Sequence, residues 1–186
     1  MSGVVEHLIP AECGLLVVDI QDRLMRVINE KERVVKNGVM LIKAAQVLDI
    51  PIVATTQYVA RIGDLLPEIR EALDCVVSQD KLEFSCFNNQ DACSSIQEFD
   101  QVKTWIVCGV ETHICVYQTV VDAIRSGYHV WVASDGVSSR TPENYQNGLD
   151  RIKEIGGVVA NTEMIIYDLL GRAGTPEFKA LLPLLK

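Results

Sequence analysis

Trp105-Ile106-Val107-Cys108-Gly109 runs directly into Val110-Glu111-Thr112-His113-Ile114-Cys115-Val116. The first half is an unbroken apolar run and reads as a buried strand; the second opens a helix near Thr112. Cys115 then falls in the first turn of a helix at the carboxyl end of a strand. A helix start carries unpaired amides and the positive end of a dipole, so it favours an anion. A thiol held there is expected to ionise more easily, and the thiolate is the nucleophilic form.

Outward from this junction the same alternation repeats. Upstream, Cys13 to Asp19 is an apolar run ending in a carboxylate, Lys31 to Leu48 shows helical periodicity, Pro51 to Thr56 is a second strand and Cys75 to Ser78 a short third. Asn88 or Asn89 caps a helix over roughly Gln90 to Phe99, ahead of the fourth strand, Lys103 to Gly109. Downstream, the helix from Thr112 closes at Gly127, and Tyr128 to Ser134 is the fifth strand. Thr141 with Pro142 starts a helix that runs to Ile155, and Gly157 to Ala160 is a sixth strand. Helical signals resume over Glu163 to Leu170 and Pro176 to Leu184. Uninterrupted apolar strands between helices are the mark of a parallel sheet covered on both faces. The expectation is therefore an α/β fold, a single domain over residues 1–186, with a doubly wound, Rossmann-like parallel sheet of order 3-2-1-4-5-6.

The formal net charge of -8 argues against nucleic acid and against anionic membrane surfaces. No apolar run reaches the roughly 20 residues a bilayer span requires. The stretch Met1 to His7 has no basic n-region and no long apolar core, so it does not read as a secretory signal. A cytoplasmic protein with six reduced cysteines is expected. Cys13, Cys75 and Cys108 read as small buried hydrophobes and Cys86 and Cys93 as inert. No CxxC pair suggests a zinc or redox motif. The apolar end, Ala180 to Leu185, suits docking on a neighbouring subunit or packing back onto the core.

In open parallel sheets, ligands bind beyond the carboxyl ends of the strands where the strand order reverses. With order 3-2-1-4-5-6, that point lies between strands one and four. Asp19 and Cys115 would face each other there, and Lys81, arriving from strand three, would close a triangle. Asp19 could take the thiol proton and later hand it to a leaving amine. Lys81 and the helix end would offset the like-charge effect of Asp19 on the sulfur. Amides around Cys115 could hold an oxyanion. Gln21, Gln57, Tyr58, Phe84, Glu111 and Thr112 line the expected pocket for a small-molecule substrate. Taken singly, Asp19 reads as a strand-end turn former and Lys81 as a solvated charge; only the combination points to catalysis. His113 lies two residues before Cys115, on another helix face, and reads as structural or at the rim. His129, at the opposite end of a strand, reads as structural, and Asp22 as a surface or salt-bridge residue.

The ordered set Asp19, Lys81 and Gly109 to Val116 resembles the isochorismatase-like cysteine hydrolases, and the resemblance runs from about Glu12 to Leu170. Thr56-Gln57-Tyr58 and Lys81 to Phe87 are similar to the small stand-alone members with poorly defined substrates. The resemblance implies an Asp-Lys-Cys triad, a doubly wound fold and a non-proline cis peptide at Val110-Glu111. Such a bond would direct backbone amides, around Glu111 and Cys115, at the substrate oxygen. Homo-oligomers, dimers or larger, are also implied. Isochorismatases proper cleave a vinyl ether without a cysteine here, so Cys115 implies acyl chemistry on an amide-type C–N bond. Nicotinamidases of the family bind a metal through an Asp-x-His and a further His after strand two. This chain has only His7, His113 and His129, so no metal and no other cofactor is expected. Two rivals remain. An aspartyl phosphoryl transferase would need an acid two places after Asp19, where Gln21 stands. A non-catalytic binding or scaffold protein could keep the fold without turnover.

Overall fold

The computed structural model describes residues 7–185. The reading of the N-terminal stretch falls, but for His7, on residues 1–6 and lies outside them. In chain order the elements are β1 (Cys13–Val18), α1 (Asp22–Met25), α2 (Lys31–Val47), β2 (Ile52–Gln57), α3 (Val59–Ile62), α4 (Pro67–Leu73), β3 (Ser78–Lys81) and α5 (Gln90–Gln97). There follow β4 (Thr104–Val110), a π-helical turn (Thr112–Val116), α6 (Tyr117–Arg125), β5 (His129–Ser138), α7 (Pro142–Glu154), β6 (Val158–Ala160), α8 (Thr162–Leu170) and α9 (Pro176–Leu181). Short 3₁₀ turns at Pro10–Glu12, Cys86–Asn88 and Leu182–Leu184 complete the set.

The six strands form one all-parallel sheet in the order β3-β2-β1-β4-β5-β6. Alternate side chains of each strand enter opposite layers. In β1, Leu15 and Val17 pack with α2, α4, α8 and α9, whereas Leu16 and Val18 pack with α5, α6 and α7. Both faces are dry, which is why the central strands are apolar without alternation. The C-terminal segment packs back: Leu181 is buried, and Leu184 and Leu185 rest against the first of these layers. No described helix is long and apolar enough to cross a membrane.

Local chemistry sets the helix ends. Asn89 accepts a hydrogen bond from Ala92 N and Thr141 from Asn144 N, each a side-chain N-cap. Asn161 accepts from Met164 N in the same way at the start of α8.

Two expectations are corrected. The third strand is Ser78–Lys81 rather than Cys75 to Ser78. It is an edge strand paired only to β2, so Ser78, Gln79 and Asp80 reach solvent while Lys81 is buried; Val77 is 75% exposed and Cys75 is exposed rather than buried. The fifth strand continues to Ser138, because the register against β4 shifts between Val107 and Gly109, where four residues, 133–136, stand opposite Cys108 alone. Asp135, within that shift, accepts hydrogen bonds from Thr162 N and Thr162 Oγ1 at 2.7 Å.

Candidate active site

β1 ends at Val18, and Asp19 follows in the left-handed region at φ 53°. A non-glycine residue adopts this conformation at a cost and is held there by its surroundings. Asp19 N donates to Thr55 O at 3.2 Å, and the Thr55 hydroxyl donates to Asp19 Oδ1 at 2.8 Å. The other carboxylate oxygen, Oδ2, lies 2.6 Å from Lys81 Nζ. Both side chains are fully buried. Lys81 is the last residue of β3, brought across β2 by the register that pairs it with Gln57. Burial works against its ammonium, but Asp19, with Cys86 and Cys115 adding to it, outweighs that, and the lysine pKa is raised.

From the other side of the crevice, β4 delivers the π-helical turn. Val116 N donates to Glu111 O at 3.2 Å, the five-residue spacing of this turn. Such turns recur where a helix must re-aim a side chain. The Val110–Glu111 peptide bond is cis. Two glycines allow the close approach. Gly109, at φ 124°, lies so near β1 that a Cβ would stand 2.0 Å from Val18 O. Gly148 of α7 presses on the turn, where a Cβ would meet His113 N and Thr112 at 2.9 Å.

Cys115 is 7% exposed. Its thiol is pushed up in pKa, first by burial and next by the Asp19 carboxylate; Lys81 acts in the opposite sense. The expected easy ionisation at a helix start is thus overturned: the dry surroundings and the carboxylate outweigh helix end and lysine. Cys115 rests as a thiol beside an acceptor for its proton.

The remaining candidates divide. Gln21 Oε1 accepts from Gln57 N at 2.7 Å, and Gln21 Nε2 donates to Gln57 O at 3.1 Å and to Gly63 O at 2.6 Å. Gln57 Nε2 donates to Leu82 O at 2.8 Å, and its Oε1 accepts from Lys81 Nζ at 2.8 Å. Both amides are occupied by the protein itself. Glu111 accepts from Arg140 N and Arg140 Nε, each at 3.0 Å. Thr112 Oγ1 is buried without a hydrogen-bond partner. Tyr58 and Phe84 stand 42% and 50% exposed. They follow Gln57 and Lys81 closely, and Tyr58 N donates to Lys81 O. His113 shares a hydrogen bond with Ser139 Oγ, His129 is exposed at the start of β5, and Asp22 pairs with Arg26 on the surface.

Thr55 and Cys86 had no signal in the sequence. Cys86 Sγ lies 3.8 Å from Thr55 Oγ1, and Cys86 N donates to Thr119 Oγ1, one turn beyond Cys115. Cys86 is fully buried, its pKa raised by burial. Three strands must be assembled before either residue joins the group. Among the described residues no cluster of three His, Cys, Asp or Glu side chains is placed to hold a metal.

Residues 13–164 match the family model described as Isochorismatase domain. The secreted isochorismatase effector Isc1 of Phytophthora sojae is 36% identical over 183 residues, covering 97% of this chain and 87% of that protein. The structure of MAR1 ribonuclease from Caenorhabditis elegans superposes with a TM-score of 0.90 at 28% identity, covering 97% of this chain and 92% of that one. The YcaC gene product of Escherichia coli, described as an octameric hydrolase of unknown specificity, gives 0.90 at 20% identity over 97% of this chain and 91% of its own, a likeness of fold.

Proposed function

Because this chain belongs to the isochorismatase family, we propose that it is a cysteine-dependent hydrolase of an amide-type C–N bond in a small molecule. The observation that carries the reading is the buried pair of Lys81 and Asp19, 2.6 Å apart, with the buried Cys115 thiol within the electrostatic reach of both. Asp19 takes the thiol proton as sulfur attacks the carbonyl carbon. Lys81 holds Asp19 in place and stabilises the thiolate as it forms. Amides of the turn around Glu111 and Cys115 accept the oxyanion. When the C–N bond breaks, Asp19 passes its proton to the departing nitrogen and an acyl-thioester stays on Cys115. Water then attacks the thioester carbonyl, Asp19 takes a proton from it, the C–S bond breaks, and the acid leaves as the thiol is restored.

The raised thiol pKa fits this order of events, since the proton moves during attack rather than before it. No step needs a metal or a cofactor. The reading extends to a cytoplasmic homo-oligomer acting on a small molecule rather than on nucleic acid; the net charge of -8 supports the last point. Near-complete closure over Cys115 is the observation that favours the rival, a binding protein without turnover.

Intact-mass labelling with iodoacetamide at pH 8 tests the nucleophile. With the exposed Cys75 and the half-buried Cys93 replaced by Ser, the chain should gain its first adduct at Cys115. Cys115→Ala should lose that adduct, and equal labelling of the variant would defeat the assignment. An acyl adduct on Cys115 after exposure to a metabolite extract would establish turnover chemistry and exclude the binding-only rival.

A further inference from the structure

We infer that Gln57, which the proposed reaction leaves without a role, is the positioning residue for Lys81, and that Gln21 fixes Gln57 in that task. The inference rests on the hydrolase reading above and concerns how its lysine is aimed. An ammonium has three protons and no acceptor. In Lys81 one goes to Asp19 Oδ2 and a second to Gln57 Oε1. The same ammonium acts by its charge on the Cys86 and Cys115 thiols, lowering the pKa of both against the effect of burial. Without Gln57 the ammonium would be free to turn about its stem, and a charge that rotates stabilises a thiolate less than one that is fixed.

The orientation of the Gln57 amide is settled by its partners. Nε2 donates to Leu82 O. Reversing the group would set an NH₂ against an ammonium and an oxygen against a carbonyl, two repulsive contacts in a dry site. The main chain of Gln57 is gripped as firmly. Gln21 accepts from its N–H and donates to its C=O, and the same Gln21 Nε2 reaches Gly63 O at the end of α3. Gln21 is fully buried and spends its whole amide on these contacts. One side chain therefore joins the end of β2, the segment up to Gly63 and the residue that aims Lys81. A substrate hydrogen bond from either glutamine would have to break this arrangement.

Gln57→Met removes the carbonyl at nearly constant shape, and Gln57→Asn keeps an amide but withdraws it by one methylene. Two readouts apply. The first is alkylation of Cys115 by iodoacetamide, expected to slow by about three- to tenfold. A lysine no longer held by Gln57 gives less charge stabilisation to the sulfur as its proton leaves during attack. The second is proton exchange of the Lys81 ammonium, followed by nitrogen-15 NMR at pH 7 and expected to quicken by about tenfold in both variants. A role in packing alone would leave Lys81 exchange unchanged. Native exchange in either folded variant would overturn the inference. Should one variant not fold, the other still decides. If native Cys115 itself fails to label, the hydrolase reading falls while the lysine readout still reports on Gln57.

Discussion

The two walls of the crevice are built on opposite principles. On the β1–β3 side, charged groups are held by other side chains: Thr55 and Lys81 on Asp19, Gln57 on Lys81, Gln21 on Gln57. On the β4 side, close main-chain packing shapes the seat of the sulfur: Gly109 meets Val18 O, Gly148 meets the π-helical turn, and the buried Thr112 Oγ1 is without a partner. A buried charge needs complementary partners at short range, whereas a neutral thiol needs only a shaped, dry seat. The first wall should therefore fail by loss of a counter-charge, and the second by a change in sulfur protonation or by distortion of the turn.

The largest effect is expected on the first wall. Lys81→Met leaves Asp19 buried without its counter-charge and should cost about 3–5 kcal/mol, read from urea unfolding at pH 7. Adding Asp19→Asn should restore a large part of that loss, because both charges are then gone. A single variant of native stability would show that the pair is not what holds this wall.

The buried thiols of both walls should respond to alkaline pH. Cys13, Cys86, Cys108 and Cys115 are all raised by burial, Cys13 and Cys108 to about 12. Unfolded thiols ionise near the ordinary value of 9.0. A raised folded pKa means that the folded state keeps protons the unfolded state has released. This contribution is complete below pH 9 and is lost as pH rises toward 12. Each such thiol should remove about 1.4 kcal/mol per pH unit within that window. Urea midpoints measured from pH 8 to 10.5 should fall progressively, and less steeply in Cys108→Ala after allowance for its cavity. A flat profile would mean that these sulfurs ionise as freely folded as unfolded.

The smallest effect sharpens the contrast. Thr112→Val replaces an unpartnered buried hydroxyl with a methyl and should gain about 1 kcal/mol. If the hydroxyl instead serves the substrate oxygen, acylation of Cys115 should slow while stability rises. A loss of stability would reveal a partner for Oγ1 in solution.

How far each wall could be read from the chain follows from the same division. β1, β2, β4 and β5 announced themselves because strands covered on both faces must be apolar. β3 did not: an edge strand of Ser78, Gln79, Asp80 and Lys81 looks like loop, and the apolar Cys75-Val76-Val77 beside it drew the boundary three residues too early. Asp19, Lys81 and Cys115 could be picked out because their residue types at strand and helix ends carry chemical meaning. Gln21 and Gln57 were visible as polar residues in the right place, but their partners, Gly63, Leu82 and each other, depend on register between strands. Cys86 and Thr55 carried no local signal at all. The π-helical start of the turn is equally silent, since periodicity over five residues does not separate it from an α-helix.

Gly109 brings β4 so near β1 that a Cβ there would stand 2.0 Å from Val18 O, one residue before Asp19. Any side chain at 109 would wedge the two strands apart at their carboxyl ends, so this position tolerates far less change than the exposed Tyr58, Leu82 and Phe84.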